Sequence, residues 1–137
     1  MNIRYPAIIE HQDDGGFTVS FPDLYEAITE GDSMEEALFN AADVLTLTLE
    51  SRIDDGMDIP MPSIIDRAYC VAPSSKVQAA LLVRFCRGER SLSDLARSLE
   101  TSWPSASRIE DPHHWPSLKQ LDRAASAFGK RLVLSFE

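Results

Sequence analysis

The first half of the chain alternates apolar and polar positions in short runs that are typical of β-strands. Residues 2–10 and 17–21 show this pattern on either side of the Asp-Asp-Gly-Gly turn at 13–16, which predicts a hairpin. A short third strand is expected at 27–29, and the apolar content of 64–71 predicts a fourth strand. These runs indicate a small antiparallel sheet.

The same half contains one clear amphipathic helix. Ser33 with Glu36 three residues later matches a capping box, and the Asp-Asp-Gly sequence at 54–56 marks the end. Apolar residues and one threonine recur between them on one helical face: Ala37, Leu38, Ala41, Val44, Leu45, Thr48 and Leu49. Residues 59–63, Ile-Pro-Met-Pro-Ser, predict a stiff extended linker. The predicted order is β-β-β-α-β, a sheet with a helix on one face.

The pattern changes to helical spacing in the second half. Caps and apolar periodicity predict four short helices, beginning at Ser74 or Ser75, at Ser91 or Ser93, near Pro104 and at Ser117. Residues 131–137 alternate again and predict a terminal strand. The fold class expected for the whole chain is therefore α+β, with a mixed first domain and an all-α second domain that ends in a strand.

Charge follows the same division. Residues 1–70 contain 3 Lys/Arg and 15 Asp/Glu, a net charge of −12, whereas residues 71–137 contain 10 and 7, a net charge of +3. We therefore expect two modules with different partners, at 1–63 with a return strand to about 71, and at 74–137. An acidic module suits a basic protein partner, and a modestly basic one can approach phosphates.

The sequence lacks the residues that several classes of function need. No apolar run could cross a membrane, and the early acidic residues argue against a secretory signal, so a cytoplasmic location is expected. Cys70 and Cys86 fit no disulfide framework or zinc site and are expected to be buried or half-buried free thiols. His11 and the pair at 113–114 lack metal-ligand spacing, so no metal or cofactor is expected. No nucleophile, phosphate loop or converging carboxylate cluster appears, which predicts no catalytic residues and no enzyme activity.

Residues 92–110 carry the most specific local signal. Leu95, Ala96 and Leu99 give a first helix its buried face, and Ala106 and Ile109 bury a second helix against it. This stretch resembles the helix-turn-helix of phage Cro and C1-type repressors, and the likeness extends over about 75–137. The resemblance implies that the second helix lies in the major groove of DNA.

The resemblance also implies which side chains contact DNA. Those on the second helix and its cap are Ser102, Trp103, Pro104, Ser105, Ser107 and Arg108, and the expected phosphate contacts are Arg97, Lys119 and Arg123. Glu100 departs from the family, which often has glycine in this turn, and Trp103 and Pro104 replace the usual polar base readers. A generic helical domain that packs against a protein remains an alternative, as does a surface ion pair of Arg108 with Glu110 or Asp111.

The first module carries a second resemblance. Its motifs are Tyr-Pro-Ala-Ile-Ile at 5–9, Asp-Gly-Gly-Phe at 14–17, Val-Ser-Phe-Pro-Asp at 19–23, Thr-Glu-Gly-Asp-Ser at 29–33 and the 59–63 linker. In this order they resemble the HicB antitoxin family, which implies a partial RNase H-like fold in front of a DNA-binding domain. The implied partners are a small basic HicA-type toxin that cleaves mRNA, the operator DNA of its own operon, and a second copy in a homodimer or higher oligomer.

Within that resemblance, the acidic field of the first module would meet the toxin. The segment expected to contact it, together with the exposed helix face, is Phe21, Pro22, Asp23, Leu24, Tyr25 and Glu26. Three alternatives stay open: the carboxylates are only a solvated surface, the first module is a sensor domain of a repressor unrelated to a toxin, or the RNase H-like fold hydrolyses nucleic acid with a metal.

Overall fold

The computed structural model describes residues 1 to 137 and has a four-stranded antiparallel sheet and five α-helices. The chain forms two compact units, Met1–Gln78 and Ala79–Glu137. None of the helices combines the length and the apolar character needed to cross a lipid bilayer.

The sheet belongs to the first unit and has the strand order β3-β2-β1-β4. Its strands are β1 (Tyr5–His11), β2 (Phe17–Ser20), β3 (Ile28–Gly31) and β4 (Tyr69–Val71). All neighbours are antiparallel, with the first half of β1 paired to β4 and its second half to β2. The predicted hairpin and the predicted order of elements along the chain, β-β-β-α-β, are confirmed. Strand β3 starts one residue later and ends two residues later than expected.

The predicted fourth strand at 64–71 is too long, because only its last three residues pair with β1. Arg67 adopts a left-handed φ of 64°, which reverses the chain and ends any extended segment before Tyr69. Cys70 on this short edge strand is exposed, contrary to the expected burial, and Cys86 is half-buried.

Helix α1 (Met34–Asp54) packs against β2, β3 and β4. The Ser33 hydroxyl accepts the N–H of Glu36 at 3.1 Å, which is one half of the predicted capping box. The buried face consists of Ala37, Ala41, Leu45, Thr48, Leu49 and Arg52. A Cβ built on Gly31 would lie 2.4 Å from the Ala37 nitrogen, so only glycine lets β3 come this close to the start of α1.

The second half of the chain contains four helices joined by short connections. They are α2 (Ser75–Arg87), α3 (Leu92–Ser98), α4 (Trp103–Ile109) and α5 (Leu118–Ala127). Ser91, Ser102 and Ser117 cap α3, α4 and α5, and capping boxes form at α3 and α5. The core of the second unit is formed by Val83, Leu95, Ala96, Leu99, Ala106, Ile109 and Ala124. The predicted four helices are confirmed.

The predicted terminal strand at 131–137 is wrong for the single chain, because these residues have no regular structure. A strand needs a partner for its backbone N–H and C=O groups, and the second unit contains no other strand. The alternating pattern is present in the sequence, but its hydrogen-bonding partner is absent from the fold.

Candidate functional site

The turn between α3 and α4 has the geometry of a Schellman motif. Glu100 follows the C-cap Leu99 and has a left-handed φ of 53°. Its N–H donates to the Arg97 carbonyl at 3.1 Å, and the Thr101 N–H donates to the Ala96 carbonyl at 3.0 Å. These bonds end α3 sharply, so only residues 99–102 separate the two helices. The left-handed position is the one that favours glycine, which Glu100 replaces.

Helix α4 is held against α3 by its buried side. Ala106 and Ile109 are buried in the same cluster as Leu95, Ala96 and Leu99. The Ser102 hydroxyl accepts the Ser105 N–H at 3.3 Å, and Pro104 lies in the first turn, where a missing N–H costs nothing. The sequence therefore fixes both the start of α4 and the face that it buries.

The opposite side of α4 is open to solvent. Ser102, Pro104 and Arg108 are exposed, Trp103 is 52% exposed, and the remaining predicted contacts, Ser105 and Ser107, are half-buried. The predicted DNA-contacting residues of α4 thus lie together on one short helix.

Arg108 forms no ion pair with either of the acidic residues that follow it, Glu110 and Asp111. The Glu110 carboxylate is 7% exposed and binds Arg87 at 2.5 and 2.9 Å, and Asp111 accepts the His113 N–H at 2.8 Å. The ion-pair alternative for Arg108 therefore does not hold in this structure. Its guanidinium is available for two hydrogen bonds to an incoming acceptor pair.

The bidentate Arg87–Glu110 pair was not predicted from the sequence. It joins the end of α2 to the end of α4 across 23 positions, and the hydrogen bonds from Glu110 raise the pKa of Arg87. No local pattern signals such a pair, because its two members are distant in sequence and are neighbours only after folding. Its effect is to anchor the end of α4.

The three predicted phosphate contacts differ in what they do within the chain. Lys119 is exposed and has no internal partner, and Arg97 is 77% exposed and pairs with Asp94 on the same helix. Arg123 instead donates to the Leu99 carbonyl at 2.7 Å. That bond satisfies a carbonyl at the end of α3, so Arg123 ties α5 to the α3–α4 turn.

The segment expected to contact a protein partner is only partly at the surface. Phe21 and Leu24 are 1% and 0% exposed and form part of the core. Asp23 accepts the Ser63 N–H at 2.9 Å and its hydroxyl at 2.6 Å, which fastens the extended linker to the first unit.

The remaining members of that segment are Pro22, Tyr25 and Glu26. Glu26 binds Arg52 through two hydrogen bonds of 2.7 Å, and these bonds lower the pKa of Glu26. Tyr25 is 79% exposed, with the Arg52 guanidinium 5.7 Å from its ring centre. Pro22 and Tyr25 are therefore the members of the segment that are exposed and not engaged in polar contacts.

The solvent face of α1 carries large apolar side chains that were not predicted to be functional from the sequence. Phe39 and Leu47 are 68% and 65% exposed, and Asp43 lies between them at four-residue spacing on the same helical face. Glu35 and Glu36 are exposed at the start of the helix. The signal was present as a second apolar spacing opposite the buried face, but only the sheet decides which face is covered.

The charge separation holds for the two units as folded. Residues 1–78 contain 4 Lys/Arg and 15 Asp/Glu, a net charge of −11, and residues 79–137 contain 9 and 7, a net charge of +2. The exposed apolar face of α1 is thus part of the strongly acidic unit, whereas Arg108 and α4 belong to the weakly basic one.

Comparison with known proteins gives consistent matches. Residues 4–72 match a family model described as a HicB-like antitoxin of bacterial toxin-antitoxin systems. The chain is 35% identical to Antitoxin HicB 1 of Photorhabdus laumondii over 137 residues, covering 99% of this chain and 88% of that protein. It is 37% identical to Antitoxin HicB 2 of the same organism, covering 97% and 96%. It is also 31% identical to Antitoxin HicB of Escherichia coli K12, covering 96% and 98%.

Proposed function

The chain belongs to the HicB-like antitoxin family, and on that basis we propose that it neutralises a small basic HicA-type toxin and represses its own operon by binding DNA. Toxin binding is assigned to residues 1–63 with the return strand to about 71, in a partial RNase H-like arrangement. Operator binding is assigned to residues 74–137, with α3 and α4 as a Cro/C1-type helix-turn-helix.

The toxin-binding assignment is carried by the solvent face of α1. Phe39 and Leu47 are mostly exposed, and isolated large apolar side chains within an acidic surface are typical anchors for a basic partner. The net charge of −11 speeds the encounter with a cationic protein and disfavours nucleic acid. We place the toxin contact on this face together with Pro22 and Tyr25.

This assignment is tested by coexpression with a small basic HicA-type toxin. Phe39→Ser and Leu47→Ser should each weaken the purified complex by roughly tenfold or more, since buried anchors dominate such interfaces. Ile64→Ser is the matched control, because Ile64 is fully exposed just after the 59–63 linker of the same unit. If all three variants bind the toxin equally, the α1 face is not the contact. If the native chain fails to bind it, the antitoxin proposal itself fails.

The DNA-binding assignment is carried by Arg108, which extends from the exposed side of α4 with no partner inside the chain. A guanidinium in the major groove can donate two hydrogen bonds to a guanine. We assign phosphate contacts to the exposed Lys119 and to the cap residue Ser102. Since operators are commonly two-fold symmetric, we propose that the chain binds DNA as a homodimer or higher oligomer.

Arg108→Ala and Lys119→Ala form a matched pair for this test. Arg108→Ala removes the base contact, so it should lose about 1–3 kcal/mol of DNA-binding free energy and discriminate less at one base pair. Lys119→Ala removes a phosphate contact, so it should weaken binding to all DNA sequences. The slope of log affinity against log salt concentration should fall by about one. Both variants should still neutralise the toxin. Equal loss of both activities in Arg108→Ala would show that the two functions are not separable.

We propose that the chain acts by binding alone, in line with relatives that are named antitoxins. The purified chain should leave labelled RNA intact in the presence of magnesium or manganese. Turnover that survives repurification of the chain without its toxin would overturn this proposal.

A further inference from the structure

Strand β1 has a stretch of open edge on the side where it meets β4. Its residues 5–7 pair with β4, and its residues 8–11 pair with β2 on the opposite side. No strand lies beside residues 8–11 on the β4 side, because the left-handed Arg67, with a φ of 64°, ends any extended segment before β4 begins. Roughly 13 Å of β1, at about 3.3 Å per residue, is therefore left open along this edge.

The backbone groups that face the open edge belong to Ile9 and His11. In an antiparallel sheet the residues of one strand bond alternately to the neighbours on its two sides. Pro6 has no N–H to donate, so the residues on either side of it bond to β4, and the Gln12 N–H donates to the Gly16 carbonyl across the hairpin at 3.0 Å. Both observations direct the odd positions of β1 towards β4. The N–H and C=O groups of Ile9 and His11 thus have no hydrogen-bond partner within the chain.

The opposite edge of the sheet, formed by β3, is partly covered by α1. The same alternation directs the backbone groups of Ile28 and Glu30 outwards, and the Glu30 carbonyl accepts the side-chain N–H of Asn40 at 2.9 Å. Open strand edges recruit other strands, and native proteins therefore cover or shorten the edges that they do not use. The 8–11 edge has no such cover.

We propose that an extended segment of the toxin adds to the sheet at the 8–11 edge, beside β1 and in line with β4. This inference rests on the proposed toxin binding and adds to it a main-chain contact. The added strand can form up to four hydrogen bonds with the backbone of Ile9 and His11, which is how strand addition gives affinity. The contact is separate from the α1 face, so either one can fail without the other.

The side chains along the edge determine what kind of strand fits it. On one face Ile9 is half-buried, and the ring centres of His11 and Phe17 lie 4.9 Å apart. On the other face Glu10 is exposed, and the Asp-Asp pair at 13–14 follows in the turn. A segment that alternates apolar and basic residues matches these two faces, with a Lys or Arg opposite Glu10.

The charge of the first unit favours the basic toxin over a second copy of this chain at the same edge. Pairing two 8–11 edges would bring together two units that each have a net charge of −11. A strand from a cationic protein meets the same edge with attraction, and its backbone satisfies the same four groups.

Amide hydrogen exchange of the full chain, free and bound to a small basic HicA-type toxin, tests the pairing directly. The Ile9 and His11 amides should exchange quickly in the free chain and at least about tenfold more slowly in the complex, because each gains an acceptor. The Ile8 and Glu10 amides face β2 and are internal controls, which should exchange slowly in both states.

Proline substitution blocks the edge and leaves the hydrogen bonds to β2 in place. Ile9→Pro removes an outward N–H and should raise the toxin dissociation constant about tenfold or more. Ile28→Pro makes the same change on the outer edge of β3 and is the matched control, with an expected change of less than about threefold. Slow exchange of the Glu10 amide checks that the β1–β2 pairing persists in Ile9→Pro.

Charge reversal tests the expected basic residue of the partner. Glu10→Lys and Glu30→Lys alter the net charge of the unit equally, and both carboxylates are exposed on strands of the same sheet. Glu10→Lys should weaken toxin binding about five- to tenfold more than Glu30→Lys at low salt, because Glu10 lies on the open edge.

Toxin binding that leaves the exchange of Ile9 and His11 unchanged would overturn the strand addition while the proposed function stands. Equal effects of the two proline variants, or of the two charge reversals, would also overturn it. Slow exchange of Ile9 and His11 in the free chain would do the same, since the edge would already be covered. A native chain that binds no toxin would instead overturn the proposed function, and this inference with it.

Discussion

Replacing Glu100 with glycine should stabilise the second unit. Glu100 is exposed, forms no side-chain hydrogen bond or ion pair, and holds a φ of 53° at the end of α3. Helix α5 ends in the same Schellman geometry with Gly129, at a φ of 71°. The chain therefore contains two equivalent helix ends that differ in whether the left-handed residue has a side chain.

The size of the effect follows from two opposing contributions. A left-handed conformation costs an L-residue roughly 1–2 kcal/mol relative to glycine. Glycine loses part of this advantage because it adds about 0.4–1 kcal/mol of conformational entropy to the unfolded chain. The net gain expected for Glu100→Gly is about 0.5–1 kcal/mol. For a unit of this size the midpoint of thermal unfolding should rise by about 2–8 °C.

The assay is thermal unfolding followed by tryptophan fluorescence, because both tryptophans, Trp103 and Trp115, lie in the second unit. Gly129→Glu is the reciprocal variant: a Cβ at that position meets nothing within 4 Å, so it should lower the midpoint by a similar amount through backbone strain alone. Glu100→Gln keeps the strain and removes the charge, so it should leave the midpoint unchanged.

Measuring DNA affinity distinguishes the effect of backbone strain at Glu100 from the effect of its charge. Under the proposed function both Glu100→Gly and Glu100→Gln remove a carboxylate near the phosphates and should strengthen binding, more at low salt. A lower midpoint for Glu100→Gly, or an unchanged midpoint for Gly129→Glu, would refute the strain argument. Stronger DNA binding by Glu100→Gly but not by Glu100→Gln would refute the charge argument.

Three further predictions concern stability. Gly31→Ala should destabilise the first unit by about 2–3 kcal/mol in urea unfolding, because the added methyl group meets the α1 backbone. Glu110→Ala should destabilise the second unit by about 2–3 kcal/mol by tryptophan fluorescence, since Arg87 keeps its charge while only 18% exposed. The hydrogen bonds from Arg52 hold the pKa of Glu26 below its ordinary value. The stabilisation that this pair gives the fold is therefore present above about pH 4.5 and is lost as the pH falls through the lowered pKa. Native stability should thus fall more steeply than that of Glu26→Gln between about pH 5 and pH 3 in urea titrations.

Each of these has a control on the same unit. Ser20→Ala on exposed β2 sequence and Glu89→Ala beside α2 should change stability by less than about 0.5 kcal/mol. The reference for the pH prediction is the native chain, whose curve is compared with that of Glu26→Gln under the same conditions. A tolerated Gly31→Ala would mean that β3 and α1 can separate at no cost. Parallel pH curves for the native chain and Glu26→Gln would remove the role given to the Arg52 pair.

Local signals in the sequence were sufficient for most elements. The Ser caps, the helical spacing of apolar residues and the Asp-Asp-Gly-Gly turn predicted every helix and the first hairpin. They failed at 64–68, where a left-handed Arg67 breaks the strand, and at 131–137, where the pattern is right but no partner strand exists in the chain. In both places the outcome depends on geometry or pairing that periodicity does not encode.

The candidate surfaces were predictable to different degrees. The buried face of α4 follows from Ala106 and Ile109, so its opposite face, with Arg108, could be named in advance. The surface of the 21–26 segment could not be predicted in the same way, because Phe21 and Leu24 lie in a loop and only the folded chain shows that they are buried.

The sequence by itself determined the helices, the first hairpin and the charge division, because caps, turns, periodicity and composition are read from neighbouring residues, and its motifs indicated the family. Only the tertiary structure decided that Glu110 binds Arg87, that Arg123 fastens the α3–α4 turn and that Phe39 and Leu47 stay exposed. These outcomes depend on which distant groups come within hydrogen-bond or van der Waals distance after folding. A one-dimensional pattern carries no information about those distances.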